Sequence, residues 1–177
     1  NTIDEDITNN LINEFASTNA RYDHVGLIFY NLENNIRSKI RNPNYEYVKN
    51  LKGNQSKLQY QYLILRQRGE IKNYLMYYPN DKKYFSDYRN NLHNFTQQLY
   101  NNYIACFIKK ENHLTTYSKQ FREHMFKLHE IYINELKNKE PKQKINYSIV
   151  INYINNMHPS KLMYSLNYHF DMLTHYL

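Results

Sequence analysis

One cysteine, three glycines, four prolines and no tryptophan occur in 177 residues. A lone Cys106 cannot form an internal disulfide and excludes a four-cysteine zinc site, which fits an intracellular, reducing compartment. Three glycines leave no GxxxxGK[ST] or GxGxxG loop to cradle phosphate, and no GxSxG elbow is present. Long apolar runs are missing too. The most hydrophobic stretch, Val25-Gly26-Leu27-Ile28-Phe29-Tyr30, falls far short of the roughly 20 residues a membrane helix needs. The first twenty residues hold Asp4, Glu5, Asp6 and Glu14 with no base, the opposite of a cationic signal-peptide start. With Asn1 in place of Met, the chain reads as a fragment or a processed product.

What is abundant is tyrosine: 20 of them, with 8 phenylalanines. Tyrosine buries its ring while its hydroxyl needs a partner, so aromatic stripes are read first as scaffold. Mean hydropathy is −0.87, yet sustained periodicity and 16% aromatics argue for a folded chain.

The periodicity changes once along the chain. Residues 5–17 suit a short acidic helix with Ile7, Leu11, Ile12 and Phe15 on one side. Two strand-like runs, 23–30 and 36–41, flank an Asn-rich connector and read as a β-hairpin, closed by Pro43. Ser56-Lys57-Leu58-Gln59 has the form of a capping box for a helix to about Arg68, with Gly69 as its C-terminal stop. Residues 70–78 form a short helix ended by Pro79. Phe85, Tyr88, Leu92, Phe95, Leu99, Tyr103 and Cys106 recur three and four apart and predict a long amphipathic helix over 81–110. Further helices are expected near 117–137, around Ile149–Ile154 and over 160–177, with a charged loop at 137–144. The fold class is therefore mainly α: a β-hairpin segment, 1–55, followed by a helical domain of five or six helices, 56–177.

Charge is as uneven as periodicity. Between Ile36 and Lys72 nine bases (Arg37, Lys39, Arg41, Lys49, Lys52, Lys57, Arg66, Arg68 and Lys72) face Glu46 and Glu70, a balance of +7 that equals the net charge of the whole chain. Basic residues interleaved with Tyr45, Tyr47, Tyr60 and Tyr62 suit phosphate contacts plus base stacking, as in single-stranded RNA binding. The alternative is a solvated basic face. Arg37, Lys39 and Arg41, two apart on a strand, project from one face, where an anion relieves their repulsion.

Other chemistries have little foothold. His124 and His129 are five apart, and His169 and His175 six apart, so neither pair has the i, i+4 spacing of a helical zinc site. Cys106 sits at a core spacing, as a buried inert thiol does.

Val25-Gly26-Leu27-Ile28-Phe29 followed by Arg37-Ser38-Lys39-Ile40-Arg41-Asn42-Pro43-Asn44-Tyr45 resembles the last two motifs of the covalent nucleotidyltransferases, and more narrowly the phage-type RNA ligases and their relatives in large DNA viruses. In that family an E-G-hydrophobic-V strand and a K-x-K strand contact the nucleotide. The resemblance implies that Lys39 and Arg41 act as catalytic and nucleotide-phosphate ligands and that Tyr45 completes the nucleotide pocket. Arg37, Lys49, Lys52, Lys57, Arg66 and Arg68 would then hold RNA. It further implies ATP and magnesium as cofactors of the parent enzyme, with the N-terminal part of the same polypeptide as partner, in a viral protein of the host cytoplasm. Two positions depart from the pattern: Val25 stands where the family has glutamate, and Arg41 replaces the second lysine, keeping the charge but unable to give up a proton. No K-x-D-G nucleophile occurs in these residues, so the chain alone is expected to be inactive and to need no cofactor of its own. Two other expectations stay open: a noncatalytic helical nucleic-acid-binding or interaction module of viral type, and a purely structural helical protein.

Overall fold

In a computed structural model, which describes residues 4–141 and 143–174 with side chains as far as Tyr168, the chain runs α1 (Glu5–Phe15), β1 (Gly26–Tyr30), β2 (Arg37–Arg41), α2 (Pro43–Lys52), α3 (Leu58–Arg68), α4 (Ile71–Tyr77), α5 (Lys82–Tyr103), α6 (Lys119–Ile131), α7 (Tyr147–Asn155) and α8 (Pro159–Thr174). The protein is mainly α with one N-terminal hairpin. His169, His175 and the last residues of the helix expected to Leu177 lie outside the described side chains or residues. Two compact units form: residues up to 56 with 70–79, and 57–69 with residues from 80 onward. The sequence reading placed residues 70–78 in the helical domain, whereas α4 packs in the first unit.

In the first unit, Asp4 caps α1 by accepting from the Asp6 amide at 3.0 Å. β1 pairs antiparallel with β2, setting Gly26 opposite Arg41, Ile28 opposite Lys39 and Tyr30 opposite Arg37. Only glycine fits at position 26: its φ is +133°, and a Cβ there would lie 2.2 Å from the Ile40 carbonyl oxygen. The Asn-rich connector supplies its own turns, since Asn31 accepts from the Glu33 amide at 2.9 Å and Asn34 from the Ile36 amide at 3.1 Å.

Pro43 does more than end a strand. It is the first residue of α2, so Lys49 and Lys52 lie on a helix and Lys57 in the connector that follows. Asn42 is its cap, fully buried, accepting from the Asn44 amide at 2.9 Å while its side-chain NH₂ donates to the carbonyls of Arg21 (2.6 Å) and His24 (2.8 Å). Asn44 in turn donates to Thr18 and Ala20 carbonyls, so Asn42-Pro43-Asn44 pins residues 18–24 to the start of α2. Val48 and Leu51 of α2 and Tyr74 of α4 are buried, and the Tyr78 hydroxyl donates to the Val48 carbonyl at 3.3 Å.

The second unit has the larger core. Its centre is the stripe predicted for α5: Phe85, Leu92, Phe95, Leu99 and Tyr103 are all buried, against Met125 and Leu128 of α6, Val150 and Ile154 of α7 and Leu162 of α8. Phe95 stacks on Phe121 with ring centres 5.1 Å apart. The Ser56–Gln59 capping box does not form. α3 begins after Lys57, whose ammonium has no acceptor to cap it, and Gln59 instead exchanges two side-chain hydrogen bonds with Asn167, at 3.1 and 2.8 Å. Gly69, at φ 72° and ψ 19°, ends α3 in the left-handed conformation as its sequence position implies. α5 and α6 each run into a π-helical turn, Ile104–Ile108 and Tyr132–Leu136.

Candidate functional site

The strand β2 presents Arg37, Lys39 and Arg41 on one side, with Ser38 and Ile40 on the other, because side chains alternate along a strand. All three cations are exposed, and so are Ile28 and Tyr30, their cross-strand neighbours on the same face, at 52% and 60%. The face therefore joins positive charge to an aromatic ring. The three cations are not equivalent. Arg41 donates to a Glu46 carboxylate oxygen at 2.7 Å, with Lys49 at 3.9 Å from the same oxygen. Glu46 was the one acid of the strand–helix stretch, and it screens Arg41 more than Lys39.

Tyr45, Lys49 and Lys52 come together on one side of α2. With Tyr22, Asp23, Val48 and Tyr78 they line a cleft of ≈ 400 Å³ within the first unit. Lys49 Nζ lies 6.0 Å from the centre of the Tyr45 ring, and Lys52 Nζ 5.7 Å from that of Tyr78. Burial raises the Tyr78 phenol, helped by its neighbours Tyr22 and Tyr45. Arg21 holds the Asp23 carboxyl below its ordinary value by hydrogen bonding at 2.7 Å, so this acid stays ionised at the cleft mouth. Lys39 and Arg41 are not among the lining residues, so the Tyr45 ring and the strand cations do not form a single pocket. Tyr22 and Tyr78 were not singled out in the sequence. The lysine spacing 49/52 and the adjacent Tyr45 were the legible part, whereas Tyr22 and Tyr78 come from distant positions that only the fold joins.

The remaining basic residues are dispersed. Lys57 is exposed just before α3, and Arg68 is exposed at its end. Arg66 is half-buried and bonds the Asn155 side chain on α7. His124 and His129 pack within the second unit: His124 lies between Tyr153 and Ser165, and His129 stacks on Phe107 with ring centres 4.0 Å apart. Cys106 is half-buried rather than fully enclosed, within the π-helical turn, and burial pushes its thiol up, away from the reactive thiolate. No group of three His, Cys, Asp or Glu side chains comes together among the described residues. Among the described residues no helix is long and apolar enough to cross a membrane.

No protein-family model matches the chain, and neither a curated protein nor a solved structure shows significant similarity to it.

Proposed function

We propose that this chain is the C-terminal segment of an ATP-dependent RNA ligase-like nucleotidyltransferase, contributing nucleotide-phosphate contacts and RNA binding. The observation that carries the reading is the exposed face of β2, where Arg37, Lys39 and Arg41 stand in a row beside Tyr30. Three like charges on one strand face are unfavourable in the absence of an anion, and a phosphate chain is an anion of matching spacing and flexibility. In this role Lys39 and Arg41 neutralise charge on the nucleotide phosphates, and no proton transfer is asked of either. Lys49 and Lys52, with the rings of Tyr45 and Tyr78, supply a second element suited to a strand of RNA: cations for phosphate and π-faces for bases.

Further support comes from the hairpin's surroundings. Among the described residues β1 and β2 pair only with each other, and Leu32 and Ile36 beside them are 91% and 63% exposed. Unpaired strand edges with bare apolar neighbours suit a hairpin that continues a larger sheet supplied by the preceding part of the polypeptide.

The test is binding of labelled single-stranded RNA as a function of salt. Affinity falls with a log–log slope of roughly −0.7 per neutralised phosphate, and Arg37→Ala with Lys39→Ala makes the slope shallower by about 1.4. A slope unchanged in that double variant refutes the assignment of the strand face. The ligase part of the reading is tested in a polypeptide joining this chain to a K-x-D-G segment, where Lys39→Ala abolishes or sharply reduces transfer of AMP from ATP while the melting temperature stays constant. The noncatalytic nucleic-acid-binding reading draws on the Arg41–Glu46 pair, which withdraws charge from the position the family uses for its second lysine. It predicts intact salt-dependent binding with no AMP transfer in that fused polypeptide.

A further inference from the structure

A cleft of ≈ 300 Å³ opens within the second unit between α3, α5 and α7. Its polar wall is cationic. Arg89 and His93 stand four apart on α5, so they share one helical face, and Arg66 faces them from α3. Among the described residues that line it, none is an aspartate or glutamate. The floor is made by Tyr62, 2% exposed, with Leu92 and Ile154, and Tyr147 of α7 forms a side. The guanidinium of Arg66 is oriented by the side-chain oxygen of Asn155. Burial raises the Tyr62 phenol while the charges of Arg66 and Arg89 pull it down, so both guanidiniums act on the same spot.

Two guanidiniums lining one cleft over an apolar floor, with no carboxylate among the described lining residues, are an arrangement suited to a doubly charged oxyanion. Guanidinium forks match phosphate oxygens bidentately, and the low-dielectric floor strengthens the charge–charge attraction. We propose that the α3–α5–α7 cleft binds a phosphate monoester, with Arg66 and Arg89 as its ligands, His93 as a further donor, and the rings of Tyr62 and Tyr147 against the group the phosphate is attached to. The cleft volume lies at the lower end of small-molecule sites. It holds a phosphate and one attached sugar or base, and not the interior of a strand. The phosphate comes either from a small molecule or from the terminus of a nucleic-acid strand. This site lies in a different unit from the β2 face, and the proposal does not depend on the ligase reading.

The experiment is calorimetric titration of the full 177-residue chain at constant ionic strength with two short oligonucleotides of one sequence, one ending in a phosphate and one in hydroxyls. The phosphate-terminated strand binds about tenfold tighter, equivalent to ~1.4 kcal/mol, and Arg89→Gln removes that ratio. Arg89 is exposed on α5, so this variant keeps the wild-type melting temperature; His93→Ala, also exposed, weakens the ratio in the same direction. Inorganic phosphate and a mononucleotide are titrated in the same way: a mononucleotide that binds as tightly as the phosphate-ended strand identifies a small molecule as the source, and one that binds about tenfold or more weakly identifies a strand terminus. Arg37→Ala with Lys39→Ala weakens both oligonucleotides and leaves their ratio intact, which separates this site from the β2 face. Equal binding of the two oligonucleotides to the wild-type chain, or a tenfold ratio that survives Arg89→Gln, overturns the proposal.

Discussion

Acid should unfold the second unit, and one histidine sets the pH at which it begins. His124 projects from α6 into the core, 2% exposed, edge-on to Phe95. Ser165 Oγ donates its own proton to the Lys161 carbonyl at 3.0 Å, so it can only accept from His124 Nε2 at 2.8 Å. Nδ1, 2.8 Å from the Tyr153 hydroxyl, is then the acceptor of the Tyr153 proton. Both ring nitrogens are satisfied by a neutral imidazole. Adding a proton to Nδ1 ends the hydrogen bond it accepts from Tyr153 and puts a charge in a site that disfavours it.

Burial accordingly pulls His124 down from its ordinary 6.5 to about 4. In the unfolded chain the ring takes up a proton as pH falls through about 6.5, while the native chain resists until about 4. The unfolded state thus binds more protons across this window, and stability is full above about pH 6.5 and declines as pH falls. The linkage relation between about 6.5 and about 4 gives a loss of about 2–3 kcal/mol by pH 4.5. For a chain of this size that is a fall of roughly 5–10 °C in melting temperature. His129, also pulled down by burial, adds in the same direction. Glu123, held down by its hydrogen bond to Lys161, adds its loss only at lower pH. The assay is thermal melting followed by far-ultraviolet circular dichroism in buffers from pH 7.5 to 4.5, for wild type and His124→Gln. The glutamine variant starts less stable but has a much flatter pH dependence. A wild-type profile flat between pH 7.5 and 4.5, or an unchanged slope in the variant, refutes the account of His124.

Two further substitutions test the packing. Asn42→Ala removes the α2 cap and leaves the Arg21 and His24 carbonyls without their donor in a fully buried position, a loss of about 2–4 kcal/mol by denaturant unfolding. Leu99→Ala, at a site with no exposed surface, costs about 2–5 kcal/mol in transfer and cavity terms, and a loss below 1 kcal/mol would mean that the α5 stripe does not face the core.

Several of these positions were legible before the fold was known, for a physical reason. A helix that buries one face repeats its apolar residues every three or four positions, so Leu92, Phe95 and Leu99 could be assigned to the core from spacing alone. Gly69 and the Asn-rich connector declared themselves by local backbone demands. The misassignments share the opposite property. Ser56 and Gln59 match a capping pattern, but the pattern is silent about Asn167, 108 residues further on, which competes for the glutamine. Asn42-Pro43 carries the cap-then-proline signature of a helix start, yet directly after a strand the proline reads equally as a terminator.

Charge obeys the same division between local and distant. The +7 window of residues 36–72 is a property of neighbours in sequence, but its cations do not act as one patch. Arg41 turns to Glu46, Lys49 and Lys52 join Tyr22 and Tyr78, and Arg66 leaves the window to meet Arg89 and His93. Each destination is set by where the helices pack. The chain crosses between its two units three times, after residues 56, 69 and 79, so α3 carries Arg66 into the second unit while α2 keeps Lys49 and Lys52 in the first. A net-charge count sees one basic segment. The fold divides it into a strand face, a lysine–tyrosine cleft and an arginine cleft.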